Sequence, residues 1–357
     1  MKHRITHQLA PTENNPRNSE GAFLRGKNGE ILFAYSRYNG TSVLDHAACD
    51  IALIISRDEG ESWSDPRIIA PAAFFGTKNV MSVSSLVQKN GDLAFYFLIK
   101  ENDFSSTLGR AVSSDGEHFT LQRCRFDCER AYYVLNNDRL VRLKSGRILA
   151  PAAYITAEKH YAHTQTKENA PNSVTLLYSD DDGESFKRVG WEYTSTHRGN
   201  AQHGLQEPGI IEHGDGSLFY WMRTNYGCQF ECESSGDVEN FTVPHAGSFS
   251  SPLSPMQIKE YSGVLYAVYN PIPNYNGRVN QDGTWGRTPL VLRKGESRAS
   301  FGKLNVIEDD PSRGYCYPAV FKTNDNSLLV AYCRGDARDG NTLCRLGITK
   351  IDIDSIE

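Results

Sequence analysis

The sequence predicts an all-β fold: a six-bladed β-propeller with four-stranded antiparallel blades. Three observations carry this. A Ser-Asp-Gly-aromatic turn recurs as SRDEGESW (56–63), SDDDGESF (179–186) and, one residue shorter, SSDGEHF (113–119), with fainter echoes in SSGDVENF and KGESRASF. Its copies start roughly 55–65 residues apart, the spacing of a propeller or solenoid. Six segments then read as a turn followed by an apolar strand: NGEILFAYSR, NGDLAFYFLIK, SGRILAPAAY, DGSLFYWMR, SGVLYAVYN and DNSLLVAYCR. Finally, aromatic residues are abundant, with 18 Tyr, 16 Phe and 4 Trp, and helical periodicity is nearly absent.

Each element follows in chain order. HRITHQL at the start and LGITKIDI at the end are short alternating strands suited to closing the ring by pairing with each other. Between them, each turn residue (Gly29, Gly91, Gly146, Gly216, Gly263 and Asn326) has an apolar strand on either side, an antiparallel hairpin of first and second strands. The Ser-Asp-Gly motif falls between the third and fourth strands, as in DIALIIS-RDEGES-WSDPRII. In that turn Asp accepts backbone amides, Gly supplies a backbone angle other residues resist, and Trp packs beneath. Residues 1–357 therefore read as one propeller domain.

Composition excludes several classes. With 38 Lys+Arg against 43 Asp+Glu, the net charge of −5 offers no nucleic-acid footprint. No apolar run approaches the roughly 18 residues a membrane helix needs. MKHRITHQLAPTENNPRNSEG lacks the apolar core of a signal peptide, so a cytoplasmic protein is expected. Among the eight cysteines, the spacings Cys124/Cys128 and Cys228/Cys232 put each pair on one strand face and read as packed thiols rather than metal ligands. No cofactor or metal is expected.

Topology then sorts residues by rim. The start of each first strand and the end of each second strand share one rim with the loops that follow. The SRDEGESW-type turns lie at the other. Counting nine residues back from each turn residue gives Glu20, Ser82, Asn137, Glu207, Ser254 and Tyr317, all polar, at the starts of the innermost strands. Second-strand ends add Arg37, Lys100, Tyr154, Arg223, Asn270 and Arg334, of which Lys100 and Arg334 read as structural. Long loops add Asp45, His46, His160, His163 and Arg287. Arginine forks match carboxylates, and paired carboxylates suit acid–base work on a glycosidic bond. The bland alternative is a ring of salt bridges plugging the channel.

SRDEGESW has the form of an Asp box, S-x-D-x-G-x-x-W, and with it the chain resembles the sialidase superfamily across all six blades. The resemblance implies a tyrosine nucleophile with a glutamate base, an aspartate acid/base and three arginines gripping a substrate carboxylate. On this sequence those roles fall to Tyr317 in GYCYPAV, Glu207 in LQEPGII, Asp45 in LDHAACDIAL, Arg223 in YWMRT and Arg287 in GRTPLVL. The departure is at the first arginine. Where the family carries an R-I-P type motif, RNSEGAFLR places Ser19 and Glu20, with Arg17 and Arg37 nearby. The expected activity is exo-hydrolysis of a terminal acidic sugar. Asp45 acts as the acid, which requires a raised pKa. Glu20, Arg37, His46, Asn137 and His203 complete the expected substrate-binding set. Two alternatives stand beside it: a lyase acting on uronic acids through Tyr317, His46, His203 and Arg223, and a non-catalytic carbohydrate-binding propeller.

Overall fold

The six turn residues that begin the second strands all adopt positive φ, from 61° at Asn326 to 89° at Gly146. Each reverses the chain into an antiparallel hairpin, and these hairpins nucleate six blades. In this computed structural model, which describes residues 1–166, 171–195, 204–272 and 283–357, six separate sheets form. The first blade runs Asn18–Arg25, Ile31–Tyr38, Cys49–Ser56 and Arg67–Ala70, inner to outer. Its topology repeats around the ring. The predicted closure is present: His3–Leu9 pairs antiparallel with Leu346–Asp352, so the N-terminal strand becomes the outer strand of the sixth blade.

Blade three departs from the simple pattern. Its innermost strand is split into Ala131–Val134 and Val141–Arg142, and Arg125–Asp127 adds a parallel edge strand beside Ser185–Thr194. The chain's one described α-helix, Ala157–Thr166, sits in the long loop after this blade's second strand.

The packing explains why the second strands are apolar throughout instead of alternating. In Ile31–Tyr38, Leu32 and Ala34 join a cluster with Val80, Leu93 and Phe95 of the second blade. Phe33 and Tyr35 face the other way and join Ala319, Leu329 and Ile348 of the sixth. A blade is buried on both faces, as parallel sheets are, so both phases of the strand must be hydrophobic. The same seam recurs between each neighbouring pair around the ring.

The SRDEGESW turn is wired as its residue types suggest. Ser56 Oγ donates to Asp58 Oδ1 (2.8 Å), the Gly60 amide donates to Ser56 Oγ (2.8 Å), and the Ser62 amide donates to Asp58 Oδ1 (2.9 Å). SDDDGESF repeats this through Ser179, Asp181, Gly183 and Ser185. Trp63 packs against the seam holding Phe23 and Phe33. The motif is a brace at one rim, and a cluster of polar side chains gathers at the other.

Candidate active site

Four innermost strands share a distortion where they leave that other rim. Register shifts fall between Ser19 and Ala22, Met81 and Ser84, Gln206 and Gly209, and Cys316 and Ala319. Inside each shift one residue takes a left-handed backbone: Glu20 (φ 53°), Ser82 (60°), Glu207 (44°) and Tyr317 (55°). A bulge re-aims a side chain out of the pleat. Non-glycine residues at positive φ are strained, and such strain concentrates at functional sites. The bulges turn these four side chains into one cavity of about 220 Å³, which Asp45, Lys100, Tyr132, Asn136, Gln206 and Arg223 also line.

At its floor, Tyr317 Oη donates to Glu207 Oε1 (2.8 Å). Arg223 Nη1 donates to Glu207 Oε2 (2.5 Å) and its Nη2 to Gln206 Oε1 (2.7 Å). The phenol is therefore hydrogen-bonded to a carboxylate whose other oxygen is clamped by a guanidinium. Burial and the Glu207 charge push the Tyr317 phenol up, against Arg223 and Arg287. A base at this position is what an activated tyrosine needs. Arg287 lies behind the phenol, its guanidinium 5.8 Å from the Tyr317 ring and 5.0 Å from that of Trp285. It donates to Cys316 Sγ (3.2 Å) and the Leu253 carbonyl. Burial opposes the Cys316 thiolate, yet Cys333 and Arg287 bring the thiol below its ordinary value.

On the opposite wall, Arg17 is fully buried, its Nε donating to Ser19 Oγ (3.1 Å). It donates to Glu20 Oε1 (3.0 Å), Asp45 Oδ1 (2.6 Å) and the Val43 carbonyl (3.1 Å). Glu20 also accepts a short hydrogen bond from Ser82 Oγ. The two carboxyls that share Arg17 are driven apart. Burial raises the Glu20 pKa, with Arg17 opposing it. At Asp45, desolvation is overcome by Arg17, with help from Lys100, and the pKa falls. The raised Asp45 pKa expected of a resting acid is thus not found. Asp45 lies at the mouth with 59% of its side-chain surface exposed and its charge held by Arg17.

The remaining expected residues divide. Asn137 does not line the cavity: its Nδ2 donates to the carbonyls of Gly21 (2.9 Å) and Tyr317 (3.2 Å), tying blades one and six beneath the floor. The left-handed residue of blade three is Asp138 (φ 57°), because the split strand shifts the phase by one, and the cavity-facing asparagine is Asn136. Asp138 pairs with Lys259 (2.9 Å), and Arg139 donates to the Met256 carbonyl (2.6 Å). A polar plug and a site thus coexist as layers. Arg37 is half-buried, pairs in the strand register with Asn18 and Asp50, and does not line the cavity. His46 sits outside the lining, 3.5 Å from Asp103 and near the Tyr132 ring, its pKa lowered by burial and Lys100. His203 lies outside the described residues. Lys100, read as structural, is a wall of the cavity, donating to the Asp45 carbonyl (2.6 Å) beneath Tyr132 (5.6 Å). Nothing in the sequence marked Tyr132 or Gln206 beyond the proximity of Gln206 to Glu207.

Six blades around a polar cup, with a Tyr–Glu–Arg cluster at its floor, define a β-propeller of the sialidase superfamily. The chain belongs to the BNR repeat-like domain family, whose model matches residues 29–330. An anhydrosialidase of Macrobdella decora is 26% identical over 213 residues, a match spanning 54% of this chain and 27% of that protein's length. Among solved structures, the intramolecular trans-sialidase of Ruminococcus gnavus superposes with a TM-score of 0.71 at 13% identity, covering 98% of this chain and 97% of that one. The Hadza microbial sialidase Hz136 superposes with a TM-score of 0.72 at 14% identity, covering 96% and 67%. These superpositions establish the shared fold.

Proposed function

We propose that the protein is an exo-acting glycosidase that hydrolyses a terminal acidic sugar. The observation that carries this reading is the Tyr317–Glu207 hydrogen bond of 2.8 Å at the cavity floor, with Arg223 on the far oxygen of Glu207. Tyr317 Oη attacks the anomeric carbon, and its proton passes to Glu207 Oε1. The bond to the leaving oxygen breaks as Asp45 delivers a proton to it, leaving the sugar bonded to Tyr317. Asp45 then takes a proton from a water that attacks the anomeric carbon, and the bond to Tyr317 Oη breaks as Glu207 returns its proton to the phenolate. A neutral nucleophile suits an anionic substrate, which would repel a carboxylate; tyrosine is an exception to the two-carboxylate scheme. Covering Asp45 with the leaving sugar adds to the desolvation that already opposes Arg17, so its pKa climbs where the proton is needed. Arg223, Arg287 and Lys100 supply positive charge around the sugar's acid group. The names of the anhydrosialidase and the intramolecular trans-sialidase support a sialylated or related acidic substrate.

Elimination from a uronic acid would draw on Tyr317 with His46 and His203, and His46 sits outside the cavity lining, 3.5 Å from Asp103. The test is a screen of terminal sugars (sialic acids, other nonulosonic acids, uronic acids and neutral controls) with Tyr317→Phe as the blank. Release of an intact acidic sugar, absent from the blank, is the expected result. Turnover restricted to neutral sugars, or an unsaturated product absorbing at the ultraviolet edge, would overturn it.

A further inference from the structure

The cavity that must receive the sugar's acid group already holds, on the wall opposite Tyr317, a carboxyl group that the reaction does not use. Glu20 lines the cavity, is 3% exposed, and is fixed there by the first blade's bulge. Arg223 and Tyr317 line the same cavity as Glu20, with Arg287 buried behind the phenol, so an anion drawn to Arg223 enters the space that Glu20 faces. A sugar carboxylate brought into this cavity disfavours the ionised form of Glu20, because a like charge raises a carboxyl's pKa.

We propose that Glu20 is a proton-dependent specificity residue, donating a hydrogen bond to the substrate's carboxylate when neutral and repelling it when ionised. This rests on the glycosidase reading above and adds to it that acid-sugar binding takes up a proton from solvent. A sugar carboxylate stays ionised throughout, so the proton resides on Glu20.

The groups around Glu20 come from several blades. On its own blade are Arg17, Tyr38, Cys49 and Asp45. Ser82 comes from the second blade, Glu207 from the fourth, and Tyr317 and Cys333 from the sixth. Arg17 is the cation paired with Glu20 and divides its charge between Glu20 and Asp45, while Lys100 and Arg223 line the same cavity, Arg223 paired with Glu207. Burial and the charges of Asp45 and Glu207 all favour the neutral form, and Arg17 and the Ser82 hydroxyl oppose it. A further negative charge on bound sugar tips this balance toward neutral Glu20.

Calorimetry tests it, using protein with Tyr317→Phe so that binding is read without turnover. The probes are N-acetylneuraminic acid and glucuronic acid, with their methyl esters as neutral controls. Between about pH 5 and pH 8, the Kd of at least one free acid should rise about tenfold per pH unit above the Glu20 titration. Above that titration about one proton should be taken up per ligand, and the ester should show neither effect. Adding Glu20→Gln, which keeps size and donates permanently, should flatten the acid's profile and abolish the uptake; equal melting temperatures confirm the fold. Ser82→Ala, which removes a donor to the ionised form, should move the profile to higher pH. An unchanged slope or uptake in the Gln variant, a flat profile in its parent, or no binding of either acid at pH 5 would overturn the proposal. Loss of turnover in wild type with the binding profile intact would instead refute the glycosidase reading alone.

Discussion

Replacing Tyr317 by Phe should remove nearly all turnover while barely touching stability, and the structure says by how much. The change deletes one hydrogen bond, from Oη to Glu207 Oε1, and leaves Glu207 paired with Arg223. A single such bond contributes about 1 kcal/mol. Unfolding entropy near about 2.1 cal/mol/K per residue gives roughly 750 cal/mol/K for 357 residues, so Tm should fall by about 1 °C. Glu207→Ala is the contrasting perturbation. It strips the carboxylate from Arg223, which is 9% exposed, and leaves the Tyr317 hydroxyl unpartnered. Breaking a buried pair from one side costs about 3–5 kcal/mol, or about 4–7 °C on the same scale. Rates on an aryl glycoside of the acid sugar found by the substrate screen, with differential scanning calorimetry on the same samples, separate the two effects. Tyr317→Phe should lose about 10³-fold or more in kcat, as removal of a nucleophile does. Retained activity in Tyr317→Phe, or a Tm drop equal to that of Glu207→Ala, would refute the reasoning.

Arg17→Ala should destabilise by about 3–5 kcal/mol, because Glu20 keeps its buried position and loses its cation; a thermal melt within 1 °C of wild type would count against this. The Asp181 carboxylate, accepting from Ser179 and Ser185, is held at about 2 in the folded protein. A depressed folded pKa contributes stability above the ordinary carboxylate range and loses it as pH falls toward about 2. Denaturant midpoints of wild type should therefore decline more steeply than those of Asp181→Asn between about pH 5 and pH 2, and parallel declines would exclude the linkage. Gly209→Ala would set a Cβ 2.2 Å from the Trp221 ring, whose Nε1 donates to the Met256 carbonyl (3.0 Å). The strain should cost about 1–3 kcal/mol and shift tryptophan fluorescence; unchanged denaturant midpoints would contradict the crowding.

The cavity-facing residues were legible where blades obey the repeat. Counting from the turn residue reached Glu20, Ser82, Glu207 and Tyr317 because each lies in a bulge at the same distance from its hairpin. The count failed at Asn137 because blade three's inner strand is interrupted, and a one-residue slip in a period-two element turns a side chain to another face. Lys100 looked like a scaffold residue because a lysine at the end of an apolar strand has no signature of its own. Its place in the wall depends on Asp45 and Tyr132, which come from other blades.

Local chemistry by itself determined the propeller. Turn residues at positive φ, strands apolar on both faces and a self-satisfying Ser-Asp-Gly brace each act within a few residues, so they recur visibly in the chain. Only the tertiary structure decided the protonation pattern of the cup. Glu20 and Asp45 are both carboxyls on blade one, yet one is pushed up and the other down. The physical reason is that burial and the distribution of Arg17's charge are set by side chains converging from four blades, and no stretch of sequence contains them together.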